Sequence, residues 1–235
     1  MRPRPALIGS TFIGSTLAVL ALLLAGLTIA GPAYATGRAG PAATAVRGGD
    51  VIYGDHGGRC TVGFNARKGS ATYALLSGHC VQGGSTWYAD TARTVQIGVT
   101  QAVSFPGNDF AAIRYTNTTL TYPGEVSLGS SGVRDITGAA NPTVGQSLCH
   151  VGRASGYHCG RVQAVNVTIS YPEGTVSGLF RSTICSEPGD LGGPAFSGTT
   201  ALGLIVGASG NCATGGTTYY QPVTEALSAY GLSLY

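Results

Sequence analysis

The chain has 235 residues, enough for one domain or two fused subdomains, and it carries a formal net charge of +3 with only 10% charged residues. Three of its 13 cationic residues, Arg2, Arg4 and Arg38, lie near the N-terminus, and the ten that remain balance the ten acidic residues. A nearly neutral chain without a basic cluster offers no footprint for nucleic acid or for an anionic membrane surface, so we exclude both as partners.

The first 35 residues have the pattern of a secretory signal peptide. Arg2 and Arg4 give a positive start, residues 17–30 are apolar or small apart from Thr28, and small residues flank Tyr34 at the exit. The apolar run is shorter than the roughly 20 residues that a membrane span requires. We therefore expect a cleaved signal over residues 1–35, a linker or vestigial pro-segment over residues 36–45, and a secreted, soluble domain over residues 46–235.

Six cysteines follow the predicted signal, at positions Cys60, Cys80, Cys149, Cys159, Cys185 and Cys212. An even number in an exported chain predicts three disulfides, although spacing alone cannot choose among the possible pairings. No C-x-x-C motif is present, and the histidines beside Cys149 and Cys159 stand singly. We therefore expect neither a metal site nor a cofactor.

From residue 46 onward, short β-prone runs alternate with glycine-rich turns, which predicts an all-β fold. Residues 165–170 show the clearest alternation, with Val165, Val167 and Ile169 on one face of a half-buried strand. The predicted strands cover residues 61–65, 72–77, 95–100, 110–115, 162–171, 175–183, 201–208 and 217–221.

One helix is predicted, at the C-terminal end. Pro222 is placed to begin it, and Val223, Leu227 and Tyr230 fall at the spacing of one apolar stripe. We expect this stripe to pack onto the body of the domain.

Three short motifs carry the chemistry. Residues 76–80 read Leu-Ser-Gly-His-Cys, residues 108–110 read Asn-Asp-Phe, and residues 189–194 read Gly-Asp-Leu-Gly-Gly-Pro. Histidine, then aspartate, then a glycine-rich turn is the chain order of chymotrypsin-like serine proteases. Beyond these motifs, residues 48–235 resemble the streptogrisin and α-lytic branch of that family, most closely over residues 58–65, 115–119 and 221–227.

The resemblance implies a fold of two six-stranded antiparallel β-barrels, divided near residue 125, with a cleft between them that holds a peptide substrate or a protein inhibitor. It implies a monomer and the disulfides Cys60–Cys80, Cys149–Cys159 and Cys185–Cys212. By the same resemblance, His79 is the general base, Asp109 orients it, and the amides of Gly189 and Leu191 line the oxyanion hole.

The chain departs from the family at the position of the nucleophile. Leu191 stands where the family has serine, and an isobutyl group can neither attack a carbonyl nor form an acyl-enzyme. It is also bulkier than serine at the place where a substrate carbonyl must sit. Ser186 and Ser197 flank the turn without occupying its tip, and no G-x-S-x-G motif occurs.

Further departures surround the predicted site. Val206 replaces a serine that hydrogen-bonds the aspartate in relatives, Ala208 replaces a glycine, Ser77 replaces an alanine, and His150 replaces an arginine that pairs with the carboxylate matching Asp190. We expect Val206 to leave Asp109 short of a donor.

The predicted specificity pocket is apolar. Its residues are Ile205, Val206, Gly207 and Ala208, and no charged residue occurs in segments 184–186 or 205–210. Because selectivity for basic or acidic side chains needs a complementary polar group, we expect an apolar side chain such as Phe, Tyr or Leu to bind there.

Three functions remain open from the sequence. The first is a secreted protease homologue without catalysis. The second is a working endopeptidase that cleaves after apolar residues, in which Leu191 is an error or an engineered change. The third is an unrelated disulfide-rich β-domain that binds carbohydrate or a surface.

Overall fold

A computed structural model of the chain describes residues 45–235. The predicted signal peptide (1–35) and the predicted linker (36–45), apart from its last residue, lie outside this range. Within the described part, no helix has the length and apolar character needed to span a membrane.

The first sheet is antiparallel and curls until its edges meet. Its seven segments are β1 (Val51–Gly54), β2 (Arg59–Thr61), β3 (Phe64–Lys68), β4 (Ala71–Leu76), β5 (Thr86–Tyr88), β6 (Gln96–Ser104) and β7 (Phe110–Tyr115), in the order β2-β1-β5-β6-β7-β4-β3. Only Val62 and Gly63 separate β2 from β3, yet these segments lie at opposite edges. Counted as one bent strand, they close a barrel of six.

The strand predicted over residues 61–65 is divided in the structure into β2 and β3, because the chain bends at Gly63. A side chain at this position would lie 2.2 Å from Leu204 Cδ2 and 2.6 Å from the Leu75 carbonyl oxygen. The chain bends here because the second sheet approaches its backbone closely.

The second sheet closes into a ring. Its segments are β10 (Gly138–Ala139), β11 (Ser147–Gly152), β12 (Gly156–Tyr171), β13 (Gly174–Ser182), β14 (Pro194–Ser197), β15 (Thr200–Asn211) and β16 (Gly215–Pro222). Strand β15 pairs with both β14 and β16, so β11 to β16 form a ring of six, and the short β10 adds to β15 in parallel. A separate hairpin, β8 (Glu125–Ser127) and β9 (Val133–Asp135), lies between the two sheets in the chain. The predicted all-β fold is confirmed.

The C-terminal helix is also confirmed, as α1 (Val223–Tyr230). Val223 and Ala226 are buried, and Leu227 and Tyr230 pack against the same core. The helix ends where Gly231 adopts the left-handed conformation, with φ of 62°, and its amide bonds to the Leu227 and Ser228 carbonyls.

The three disulfides join Cys60 to Cys80, Cys149 to Cys159 and Cys185 to Cys212, as the family resemblance implied. The first lies beside His79, and the third lies beside the turn at residues 189–194. Each closes a loop of modest length, for which a contribution of about 2–4 kcal/mol to stability is typical.

Strand β12 departs from the predicted alternation. Asn166 has a positive φ of 56°, and the register with β13 shifts on both sides of Val167. Val167 and Ile169 remain partly buried, whereas Val165 is exposed at 37%. The bulge turns Val165 outward, so its predicted place on the buried face is wrong.

The main core cluster joins both sheets and the helix. It includes Phe64, Leu75 and Phe110 from the first sheet, and Phe196 and Leu204 from the second. Val223 and Ala226 of α1 pack into the same cluster. This shared core fixes the two barrels against each other and thereby positions the residues of the cleft.

Candidate active site

His79 lies three residues after the end of β4, and aromatic side chains surround its ring. Its ring stacks on Phe105 with centroids 4.9 Å apart, and Tyr171 packs against it edge-on at 5.4 Å. Tyr171 ends β12 of the second sheet, and its hydroxyl donates to the Val206 carbonyl at 2.9 Å. Residues from both barrels therefore hold this imidazole.

Asp109 lies immediately before β7 and is fully buried. Its Oδ1 accepts hydrogen bonds of 2.8 Å from the His79 amide and from the Ser77 hydroxyl. Its own amide donates to Gln221 Oε1, also at 2.8 Å. Burial raises the pKa of Asp109 to about 6, because these bonds offset only part of the lost hydration.

The two atoms that a His–Asp pair would join are both without partners. Within residues 45–235, His79 Nδ1 and Asp109 Oδ2 are buried and make no hydrogen bond. The bond through which Asp109 would orient His79 is therefore absent from this geometry. The expected shortage of donors at Asp109 is present at Oδ2.

The turn at residues 189–194 docks onto the first barrel. The Thr61 amide donates to the Leu191 carbonyl at 3.0 Å, and the Thr61 hydroxyl donates to the Gly189 carbonyl at 3.1 Å. Gly192 has a φ of 92°, and a side chain there would lie 2.3 Å from the Thr61 carbonyl oxygen. Only glycine fits this position, which explains the glycine after residue 191.

Asp190 anchors the turn from the other side. Its carboxylate accepts hydrogen bonds from the amides of Ala154, Ser155 and Glu187, at 2.7 to 3.1 Å, and from the Ser186 hydroxyl at 3.0 Å. These bonds hold the pKa of Asp190 below its usual value despite desolvation by burial.

His150 does not take over the role of the arginine that the family resemblance implies at this position. Its Nδ1 lies 2.8 Å from the Tyr220 hydroxyl, and its Nε2 has no partner among the described residues. Burial lowers the pKa of His150 to about 4, so the ring is neutral at pH 7. Asp190 is held instead by neutral donors.

The amides of Gly189 and Leu191 donate no hydrogen bond within residues 45–235. Gly189 has a φ of 112°, a conformation that suits glycine. Two free amide donors, two residues apart in a fixed turn, can donate hydrogen bonds to an oxygen atom of a bound peptide. This is the chemistry that the resemblance implied for the oxyanion hole.

A cleft of about 370 Å³ opens beside the turn. It is lined by Ser186, Glu187, Pro188, Gly189, Leu191, Ile205, Gly207, Ala208 and Gly210. Val206 was expected in this pocket, but it does not line it. Strand alternation turns its side chain to the opposite face of β15, where it is buried against Val176 and Leu179.

Several residues of this region escaped the sequence reasoning. Phe105 and Tyr171 contact His79 but lie outside the motifs. Ser77 is one of the departures from the family, but the sequence does not predict its hydrogen bond to Asp109. Glu187 follows segment 184–186 of the predicted pocket directly. Its place in the sequence, next to that segment, is the signal that could have indicated a charged residue in the pocket.

One group of potential metal ligands occurs in the described part of the chain: His158, Cys185 and Cys212. Both sulfurs belong to one disulfide, and His158 Nε2 lies 2.6 Å from the Ser155 carbonyl oxygen. These atoms are not available as a ligand set.

Comparison with known proteins places the chain in a family. Residues 56–229 match the trypsin family model. Serine protease 2 of Streptomyces fradiae is 50% identical over 175 residues, which are 74% of this chain and all of that protein. Streptogrisin-D of Streptomyces griseus is 42% identical over 96% of this chain, which spans only 56% of that relative.

Solved structures agree with the sequence comparison. The structure titled "Alpha-lytic protease homolog N4" is 60% identical, with a TM-score of 0.77 over 82% of this chain and all of that one. The chain belongs to the trypsin family of chymotrypsin-like serine proteases, among homologues of the streptogrisin and α-lytic branch.

Proposed function

We propose that the chain is a secreted, monomeric protease homologue that binds peptide or protein ligands in its cleft without cleaving them. The observation that carries this proposal is Leu191 in the docked turn, where the family has its nucleophilic serine. A hydrocarbon side chain has no lone pair to attack a carbonyl and no proton to transfer to His79. In a protease of another fold, loss of the nucleophile reduces turnover by a factor on the order of 10⁶.

The surroundings of Asp109 support the same conclusion. Val206 offers no hydroxyl, Asp109 Oδ2 has no donor, and His79 Nδ1 has no acceptor within the described residues. A general base requires a partner that fixes its tautomer and orientation. This site therefore lacks a nucleophile and an orienting bond together.

No neighbouring serine compensates for Leu191. Ser186 is buried and donates to Asp190, and Ser77 is buried and donates to Asp109. Each hydroxyl already donates its hydrogen to a buried carboxylate.

The cleft supports peptide binding. Ile205 and Ala208 give it apolar walls, and the free amides of Gly189 and Leu191 can donate hydrogen bonds to a ligand oxygen. We propose that an apolar side chain occupies the cleft and that its peptide runs beside His79.

The experiment is labelling of the purified native protein with a fluorophosphonate, together with hydrolysis assays on peptides that carry Phe, Tyr or Leu before the scissile bond. We expect neither label nor turnover above that of the heat-denatured protein. Covalent label on any serine, accompanied by turnover, would refute the proposal.

The alternative is an active secreted endopeptidase in which residue 191 is an error or an engineered change. The intact fold, the docked turn and the free amides favour this alternative, because they retain what a serine at 191 would need. Independent sequencing of the codon for residue 191 separates the two: a serine codon would favour the alternative, and peptide hydrolysis by the protein with that serine would establish it.

A further inference from the structure

One charged residue lies in the otherwise apolar cleft. Glu187 is half-buried. Hydrogen bonds to Asp190 hold its backbone at both the amide and the carbonyl. Its amide donates to Asp190 Oδ2 at 2.8 Å, and its carbonyl accepts from the Asp190 amide at 3.1 Å. The rigid anchor at Asp190 therefore also sets the position of the Glu187 side chain.

The Glu187 carboxylate is only partly satisfied. Its Oε1 accepts a hydrogen bond of 2.8 Å from the Cys212 amide. Its Oε2 accepts none from residues 45–235, and neither of the two ion pairs in that part of the chain involves Glu187. A carboxylate in this position has an acceptor oxygen free for a ligand.

The walls around this carboxylate strengthen its effect. Pro188, Ile205 and Ala208 line the cleft with hydrocarbon, which replaces water near the charge. An uncompensated charge between low-dielectric walls attracts opposite charge more strongly than the same charge in open solvent. The same field repels an anionic ligand side chain.

We infer that Glu187 is the specificity-determining residue of this cleft and selects a peptide side chain with an apolar body and a hydrogen-bond donor at its tip. Lysine and tyrosine have this form, norleucine and phenylalanine lack the donor, and glutamate carries the wrong charge. The inference rests on the proposed peptide-binding function and changes the predicted preference from apolar alone to apolar with a donor.

The test measures binding of a small protein inhibitor that presents one side chain to the specificity pocket of chymotrypsin-like proteases. Calorimetry on the full chain compares inhibitor variants with lysine, norleucine, tyrosine, phenylalanine or glutamate at that position. We expect lysine to bind about tenfold tighter than norleucine, tyrosine to bind a few-fold tighter than phenylalanine, and glutamate to bind weakest.

Two variants of the chain make the test specific. Glu187→Gln retains an oxygen for the Cys212 amide but removes the charge, so the lysine preference should fall to about twofold or less. Glu173→Gln removes an exposed charge from the turn between β12 and β13, and it should leave every preference unchanged.

The possible failures are distinguishable. Equal binding of lysine and norleucine, or a lysine preference that survives in Glu187→Gln, overturns the role of Glu187 while peptide binding stands. Failure of every inhibitor variant to bind overturns both the ligand-binding proposal and this inference. Hydrolysis of the inhibitor would refute the proposed lack of catalysis without affecting the measured preference.

Discussion

At residue 109, a buried carboxylate receives its side-chain hydrogen bonds at one oxygen only. The Ser77 hydroxyl donates to Oδ1, and Oδ2 has no donor among the described residues. The family resemblance implies alanine at residue 77 and serine at residue 206, whereas this chain has serine at the first position and valine at the second. The carboxylate is therefore held in place, but the oxygen that should meet His79 lacks support.

This arrangement makes stability depend on pH in a defined direction. The folded-state pKa of Asp109 is about 6, above the usual value of 3.8. The folded protein therefore binds the proton more tightly than the unfolded chain does. The stability contributed by that proton is complete below about pH 4 and is lost as the pH rises through about 6.

Asp109→Asn should remove this dependence. Asparagine keeps an oxygen for Ser77 and the His79 amide but never bears a charge. We expect the variant to gain about 2–3 kcal/mol relative to the native protein between about pH 4 and about pH 8. Urea unfolding at both pH values measures the difference. An equal effect of the substitution at both values would show that Asp109 does not ionise in this range.

Restored catalysis should require more than one substitution. Leu191→Ser supplies a nucleophile, but Asp109 Oδ2 remains without a donor, so we expect peptide hydrolysis far below ordinary protease rates. Adding Val206→Ser should raise kcat/KM by about tenfold or more, because a hydroxyl bonded to a charged group is worth roughly 1.5–3 kcal/mol.

The control is Leu191→Ser with Val206→Ala, which also removes the valine methyl groups but adds no hydroxyl. Thermal unfolding of each variant corrects for lost packing against Val176 and Leu179. Ordinary protease rates from Leu191→Ser alone would mean that the other departures are harmless.

At the scale of elements, local patterns predicted most of the long strands. Residues 110–115 form β7 as expected, and β4, β6, β12, β13, β15 and β16 each contain most of a predicted run. The short strands, such as β5 and β14, were missed because three or four residues carry too little periodicity. The bulge at Asn166 was missed because it depends on the register between β12 and β13, which the alternation within β12 does not encode.

In the site, as in the strands, local sequence patterns predicted some features and missed those that depend on tertiary contacts. The family motifs identified His79, Asp109 and the turn at residue 191 as candidate site residues. Of the predicted pocket residues, Ile205, Gly207 and Ala208 line the cleft. Tyr171 reaches His79 only because the long hairpin of β12 and β13 extends across to the first barrel. Contacts of this kind arise from tertiary closure, which neither periodicity nor spacing encodes.

At the scale of the whole molecule, the shared core predicts that the two barrels unfold together. Phe64 and Phe110 of the first barrel and Leu204 of the second pack in one cluster with Val223 of α1. The main-chain bridge between Arg67 and Ser233 ties the C-terminal end to the first barrel as well. Loss of packing at the helix should therefore weaken both barrels at once.

Val223→Ala tests this cooperativity. Trp87, the single tryptophan, is fully buried in the first barrel and reports on that barrel alone, whereas far-ultraviolet circular dichroism reports on both. We expect the substitution to cost about 1–3 kcal/mol and to shift the urea midpoint of both signals equally. Ser228→Ala, on the exposed side of α1, should shift neither. A Trp87 transition that stays in place while the dichroism transition moves would mean that the first barrel unfolds independently of the helix.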